Sequence, residues 1–103
     1  MPDQRVVVVG AGVGGLVSAL ELSHLGLNVT VVDRAEGPGG KIHTEQVQGQ
    51  AIDSGPTVFT MRWVFDELLN SMGLSLDREL KLIPLSVLAR HFWSDGSSLD
   101  LFA

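Results

Sequence analysis

Four of the twelve glycines in this 103-residue chain fall within the six positions Gly10-Ala11-Gly12-Val13-Gly14-Gly15. No other feature limits the fold as sharply. Before them runs Arg5–Val9, a β-branched stretch without polar alternation. That pattern predicts a strand buried on both faces in a helix-covered parallel sheet. After them Val13, Leu16, Val17, Leu20 and Leu25 recur at helical spacing, predicting a helix with one broad buried face that Gly26 terminates. Asn28–Val32 is again β-branched and closes on Asp33. Strand, turn, helix and strand within about thirty residues form one parallel β-α-β crossover.

Gly10, Gly12 and Gly15 fit G-x-G-x-x-G, a weak signal alone that gains meaning between a strand and a helix. Gly10 permits the tight turn off the strand, Gly12 leaves the backbone bare for a diphosphate, and Gly15 lets the helix approach the sheet. The helix N-terminus offers free N–H groups and partial positive charge to phosphates. Asp33, 18 positions after Gly15, is placed to accept hydrogen bonds from adenosine ribose hydroxyls. Its charge repels a 2′-phosphate and so disfavours NADP, an effect that neighbouring Arg34 partly offsets. The competing readings are a glycine-rich turn without a ligand and a solvated acid at a strand end. The pattern fits NAD and FAD equally.

Gly39-Gly40-Lys41 follows six residues after Asp33. It reads either as backbone amides and a cation beside a second phosphate, or as a flexible loop with a solvated Lys. Residues 42–47 and 51–53 predict a hairpin around Gly49-Gln50, with Gly at the first central position. After the break at Ser54-Gly55-Pro56-Thr57, a helix is expected over residues 61–72. Thr60 would cap it, Val64, Phe65, Leu68, Leu69 and Met72 would share one face, and Gly73 would end it. Residues 80–83, 87–93 and 99–102 read as short strands, the last two joined at Asp95-Gly96. The fold class is therefore α/β: a Rossmann-like FAD/NAD(P)-binding β-α-β unit, then a hairpin, a helix and the start of an antiparallel sheet. A domain boundary is expected near residue 80.

Composition narrows the function. A 45% hydrophobic share with net charge −5 excludes a disordered chain. Seven scattered cationic residues against twelve acidic ones argue against nucleic-acid binding. With no Cys there is neither a thiolate metal site nor a Cys nucleophile. The uncharged run over residues 6–20 is fifteen long, short of the roughly 18–20 a membrane span needs. A cytoplasmic protein is expected. His24, His43 and His91 lack ligand spacing, so no metal site is expected. Asp66 and Glu67 read as solvated. Trp63 and Phe65 read as packing their helix onto the sheet, with the lining of an apolar ligand tunnel as the alternative. Phe92 and Trp93 are expected to point to opposite sides of a strand. No side-chain catalyst is expected.

The run VVVVGAGVGGLVSALELSHLGLNVTVVDRAEGPGGK resembles the start of the FAD-dependent amine oxidase and phytoene desaturase superfamily. DSGPTVFTMRWVFDELL and LARHFWSDGSSLDLF are similar to bacterial carotenoid desaturases, in particular the hydroxy- and methoxyneurosporene group. The likeness covers the whole chain. It implies FAD held by Gly10, Gly12, Gly14 and Gly15 at the diphosphate and by Asp33, with Arg34 beside it, at the ribose. Gly39, Gly40 and Lys41 would support the cofactor, and Gly55, Pro56 and Thr57 would approach the isoalloxazine by backbone. The family's G-G-R reads Gly-Gly-Lys here, which keeps the charge but loses the planar fork. The resemblance also implies a polyene (carotenoid) substrate and peripheral association with a membrane.

Family members run to several hundred residues. The chain is therefore expected to be an N-terminal segment: residues 1–80 the first part of the FAD domain, residues 81–103 the beginning of the substrate domain. Alone, it is expected to show no turnover and weak FAD affinity at best, and its open sheet edges invite self-association. A non-catalytic nucleotide-binding module and another flavin amine oxidase are the alternative readings.

Overall fold

The computed structural model describes residues 4–103. They form two compact units that meet in sequence between Phe59 and Thr60.

In the first unit, β1 (Arg5–Val9) and β2 (Asn28–Val32) pair in parallel, Arg5 opposite Asn28 and Val9 opposite Val32. Helix α1 (Val13–His24) makes the crossover and packs on both strands. Its C-terminus closes in a Schellman motif: Gly26 N–H donates to the Ser23 carbonyl at 2.9 Å, and Leu27 N–H to that of Leu22 at 3.2 Å.

The helix buries a different stripe from the one its large residues predict. Ala19 is buried, with Gly15, Val17 and Leu22 half-buried, whereas Val13, Leu16, Leu20 and Leu25 are exposed. Close approach explains the exchange, because a Cβ on Gly15 would run into the Gly10 carbonyl oxygen. Small residues set the helix–sheet distance, and the larger apolar ones are turned away. The sheet is likewise covered on one face among the described residues. Val6, Val8, Val29 and Val31 are half-buried, while Val7 and Val9, on the other face, are 61% and 84% exposed. Burial of β1 on both faces is thus not met, since α1 is the one layer these residues lay on that sheet.

The hairpin of β3 (His43–Val47) and β4 (Gln50–Ser54) pairs Val47 with Gln50, so its turn is Gln48-Gly49 rather than Gly49-Gln50. Both turn residues have positive φ, 50° and 80°, the requirement of a type I′ turn. Its backbone matches the strand twist, which a glycine in first position does not require.

In the second unit, α2 (Arg62–Ser71) is preceded by Met61 in the left-handed region, and no side chain caps the helix. Thr60 therefore does not serve as the cap. Gly73 and Leu74 close α2 as Gly26 and Leu27 close α1, donating to the Asn70 and Leu69 carbonyls at 3.0 and 2.9 Å. Phe65, Leu68, Leu69 and Met72 are half-buried, and Leu76, opening the one-turn α3 (Leu76–Glu79), is 2% exposed. Arg62 ties the two helices together: Nε lies 3.0 Å from Asp66 and Nη2 2.8 Å from Asp77.

Residues 80–83, expected as a strand, are irregular. Among the described residues the segment has no partner strand, and Pro84, without an N–H, follows it. An antiparallel ribbon, β5 (Val87–Phe92) and β6 (Ser98–Phe102), ends the chain, with a bulge between Val87 and Ala89. Arg90 grips Asp100 across it by two bonds, 2.6 and 2.7 Å. Phe92 and Trp93 are both exposed, against the expectation that one turns inward, because β5 stops at Phe92. Trp93 instead lies beside the His91 ring, centroids 6.3 Å apart. Trp63 is exposed as well rather than packed under its helix.

Candidate functional site

The glycine turn sits where β1 gives way to α1. Gly10 leaves the strand at φ 106°, a conformation that L side chains rarely adopt, and its N–H donates to the Val32 carbonyl at 2.7 Å. Gly15 is required by packing, as shown above. Gly12 differs from both. It is the N-cap of α1 in ordinary extended geometry, φ −78° and ψ −176°, and a Cβ there would meet nothing nearer than the Gly40 Cα at 4.0 Å. Neither backbone conformation nor protein packing demands a glycine at that position. The space that a side chain would fill is left open beside the first-turn amides of an uncapped helix, where an anion is stabilised. Gly14 also faces open space.

Asp33 reaches this turn from the end of β2. Its Oδ2 accepts the Ala11 N–H at 2.7 Å, and its Oδ1 accepts the Ala35 N–H, also at 2.7 Å. The second bond is an Asx turn that fixes the rotamer of the carboxylate. Both amide bonds, Ala11 first, hold its pKa below the ordinary carboxylate value, with Arg34 adding a smaller push in the same direction. A carboxylate has about four lone-pair positions, so two remain for ribose hydroxyls.

The second glycine loop docks on the first. Gly39 N–H donates to the Ala11 carbonyl at 2.8 Å, and a Cβ on Gly40 would come within 3.0 Å of the Gly12 Cα. A Cβ on Gly55, just past β4, would strike the Lys41 carbonyl oxygen. The Lys41 carbonyl is also 3.1 Å from His43 Nδ1, whose Nε2 lies 3.1 Å from Glu45. Three of the stretches singled out from sequence, residues 10–15, 39–41 and 55, thus stack backbone against backbone. Pro56 and Thr57 continue past them as exposed chain. An open cleft of about 540 Å³ lies alongside, lined by residues 35–38, Gly40 and residues 42–44; Gly10–Gly15 do not line it.

Sequence reasoning missed Ala11. It is 6% exposed and hydrogen-bonded through both its N–H and its C=O. The available signal was Asp33 itself, since an Asp at a strand end that bonds the backbone two residues on has its second oxygen aimed elsewhere. Among the described residues there is no helix long and apolar enough to cross a membrane, and no cluster of three or more His, Asp or Glu able to hold a metal ion.

A parallel β-α-β crossover with a bare glycine turn and an acid closing the second strand defines a dinucleotide-binding domain of the Rossmann type. Residues 8–71 match the sequence profile of the NAD(P)-binding Rossmann-like domain, and the chain belongs to that family. Hydroxyneurosporene desaturase of Rubrivivax gelatinosus is 57% identical over 100 residues, covering 96% of this chain and 19% of that protein. The Rhodobacter capsulatus enzyme of the same name is 54% identical over 97% of this chain and 20% of its own length. Phytoene dehydrogenase of Streptomyces griseus is 42% identical, with the same coverage. The chain thus spans about a fifth of the length of these relatives. Among solved structures, the fatty acid isomerase from P. acnes shares the fold with a TM-score of 0.64 at 22% identity, over 96% of this chain and 22% of that one. Putrescine oxidase bound to putrescine scores 0.61 at 25% identity, over 97% of this chain and 22% of that one.

Proposed function

We propose that the chain is the FAD-binding β-α-β portion of a flavin-dependent oxidoreductase, acting in the complete protein as a carotenoid desaturase. One observation carries the cofactor half of this reading: Gly12 is a glycine that neither its backbone nor its packing requires, at a helix N-terminus without a side-chain cap. A bound diphosphate supplies the missing reason. The substrate half is supported by the desaturase names of relatives at 42–57% identity.

The residues divide the work as follows. The Gly12–Gly15 amides at the start of α1 receive the diphosphate, and Asp33 takes the ribose hydroxyls on its remaining lone pairs, with Arg34 beside it. Gly39, Gly40 and Lys41 back the turn, while Gly55, Pro56 and Thr57 lead towards the flavin ring. When bound, FAD supplies the two-electron oxidation that turns a saturated carbon–carbon bond of a polyene into a double bond. No side chain of this chain is assigned a catalytic step. Residues 1–80 belong in this reading to the FAD domain and residues 81–103 to the beginning of the substrate domain. In this reading the complete protein is cytoplasmic and meets its membrane-dissolved polyene from the periphery of the membrane.

A second reading, a flavin amine oxidase, is favoured by the fold shared with putrescine oxidase. Titration of FAD and NAD against the complete protein freed of cofactor, followed by quenching of flavin fluorescence and by dialysis, tests the cofactor. FAD is expected to bind the more tightly, and Gly12→Ala is expected to abolish binding without altering the circular dichroism. Binding of NAD alone, or of neither, defeats the proposal. Peroxide release from an amine by the complete protein, with no desaturation of a carotenoid, moves the assignment to the second reading.

A further inference from the structure

The Ala11 peptide unit is held from two sides. Asp33 Oδ2 takes its N–H at 2.7 Å, and the Gly39 N–H takes its carbonyl at 2.8 Å. The next residue is Gly12, backed by Gly40 so closely that a Cβ on Gly40 would come within 3.0 Å of the Gly12 Cα. Asp33 cannot swing away without also losing its 2.7 Å bond to Ala35. These contacts are made entirely between protein atoms, and they fix the peptide that aims the start of α1. The Gly39 N–H, already donated to Ala11, is not free to serve a phosphate.

We propose that Asp33 is a positioning residue for the diphosphate itself. Through Ala11 it holds the glycine turn in its receiving shape before ligand arrives, in addition to any bond it makes to ribose. The inference rests on the nucleotide-binding reading and deepens it. It also makes a claim about sign. A carboxylate near an anion site repels the anion, so for a ligand without ribose hydroxyls a ribose-only role predicts equal or tighter binding once the charge is removed. Positioning predicts weaker binding. Asn at residue 33 has one acceptor oxygen and an NH2 that donates, so it cannot accept both the Ala11 and the Ala35 amides as Asp33 does.

The test compares ADP with 2′,3′-dideoxy-ADP, which lacks the ribose diol, in titrations of the wild-type chain, Asp33→Asn and Asp33→Glu. Asp33→Asn is expected to weaken dideoxy-ADP about tenfold, the size of one lost charge-assisted hydrogen bond, and ADP by more. Asp33→Glu, which restores a carboxylate, is expected to recover most of the dideoxy-ADP loss. If Asp33→Asn weakens ADP but leaves dideoxy-ADP unchanged or tighter, Asp33 is a ribose ligand only and the proposal is overturned.

A second arm needs no ligand. In the free wild-type chain the Ala11 and Gly39 amides should exchange with solvent at least tenfold more slowly than the Gly37 amide of the adjoining loop, and Asp33→Asn should speed both. Free exchange of Ala11 and Gly39 in the wild type refutes positioning even if Asp33→Asn does not fold. Failure of the wild type to bind either nucleotide defeats the nucleotide reading instead, and the exchange rates still decide what Asp33 does.

Discussion

Gly12 and Gly15 are the same residue for opposite reasons, and their alanine variants should separate binding from folding. Gly15→Ala forces a methyl group into the Gly10 carbonyl. Overpacking of that kind costs about 1–3 kcal/mol, so a lower denaturation midpoint is expected. Gly12→Ala meets only an ordinary contact at 4.0 Å, so its cost should be confined to the poorer N-cap preference of Ala, about 0.5–1 kcal/mol.

Asp33 adds a pH signature at the same scale. Its folded pKa is lowered, chiefly by the Ala11 amide. The stability it contributes is therefore fully present above its unfolded pKa of about 3.9 and is lost as pH falls through the lower folded value. Denaturation midpoints of wild type and Asp33→Asn should differ at pH 7, and the gap should close below about pH 4. A gap that persists unchanged to pH 2 would show that the carboxylate charge is not what stabilises the turn. Asp33 and the glycines could be singled out in the sequence because each residue type suits a distinct chemical task. Ala11 could not, because nothing in an alanine announces that its peptide is a junction.

At the level of elements, β1, α1 and β2 were readable nearly to the residue. Valine-rich strands and a helical repeat, with glycine at each change of direction, leave few alternatives. Side-chain size misled where backbone approach decided: large α1 residues were assigned to the buried face, and Gly15 and Ala19 occupy it. The stretch at 80–83 alternates like a strand, yet a strand needs a partner and none is present among the described residues. The hairpin turn slipped by one residue because glycine suits more than one turn type, and pairing of Val47 with Gln50 settles which.

That turn yields a prediction. Gln48 holds φ 50°, a strained choice for a residue with a long side chain. Asn-Gly is the preferred pair for a type I′ turn, so Gln48→Asn should raise stability by about 0.5–1 kcal/mol in urea denaturation. A neutral or destabilising result would mean that the turn is not type I′.

The whole chain exposes more apolar surface than an isolated domain ordinarily tolerates. Val7 and Val9 lie 61% and 84% exposed on a parallel sheet, a kind of sheet that is normally covered on both faces. Self-association through this face is the expected behaviour of the chain in solution. Val7→Thr with Val9→Thr should lower the apparent mass in concentration-dependent sedimentation. Equal masses for variant and wild type would rule out this face.

The central claim is that the start of α1 receives a diphosphate. Amide-resolved NMR titration of the chain with ADP tests it most directly, since weak binding is still mapped residue by residue. Saturable shifts concentrated on Gly12, Val13, Gly14 and Gly15, and absent in Gly12→Ala, are the predicted result. Shifts centred elsewhere, or a turn that stays silent at millimolar ADP, would contradict it.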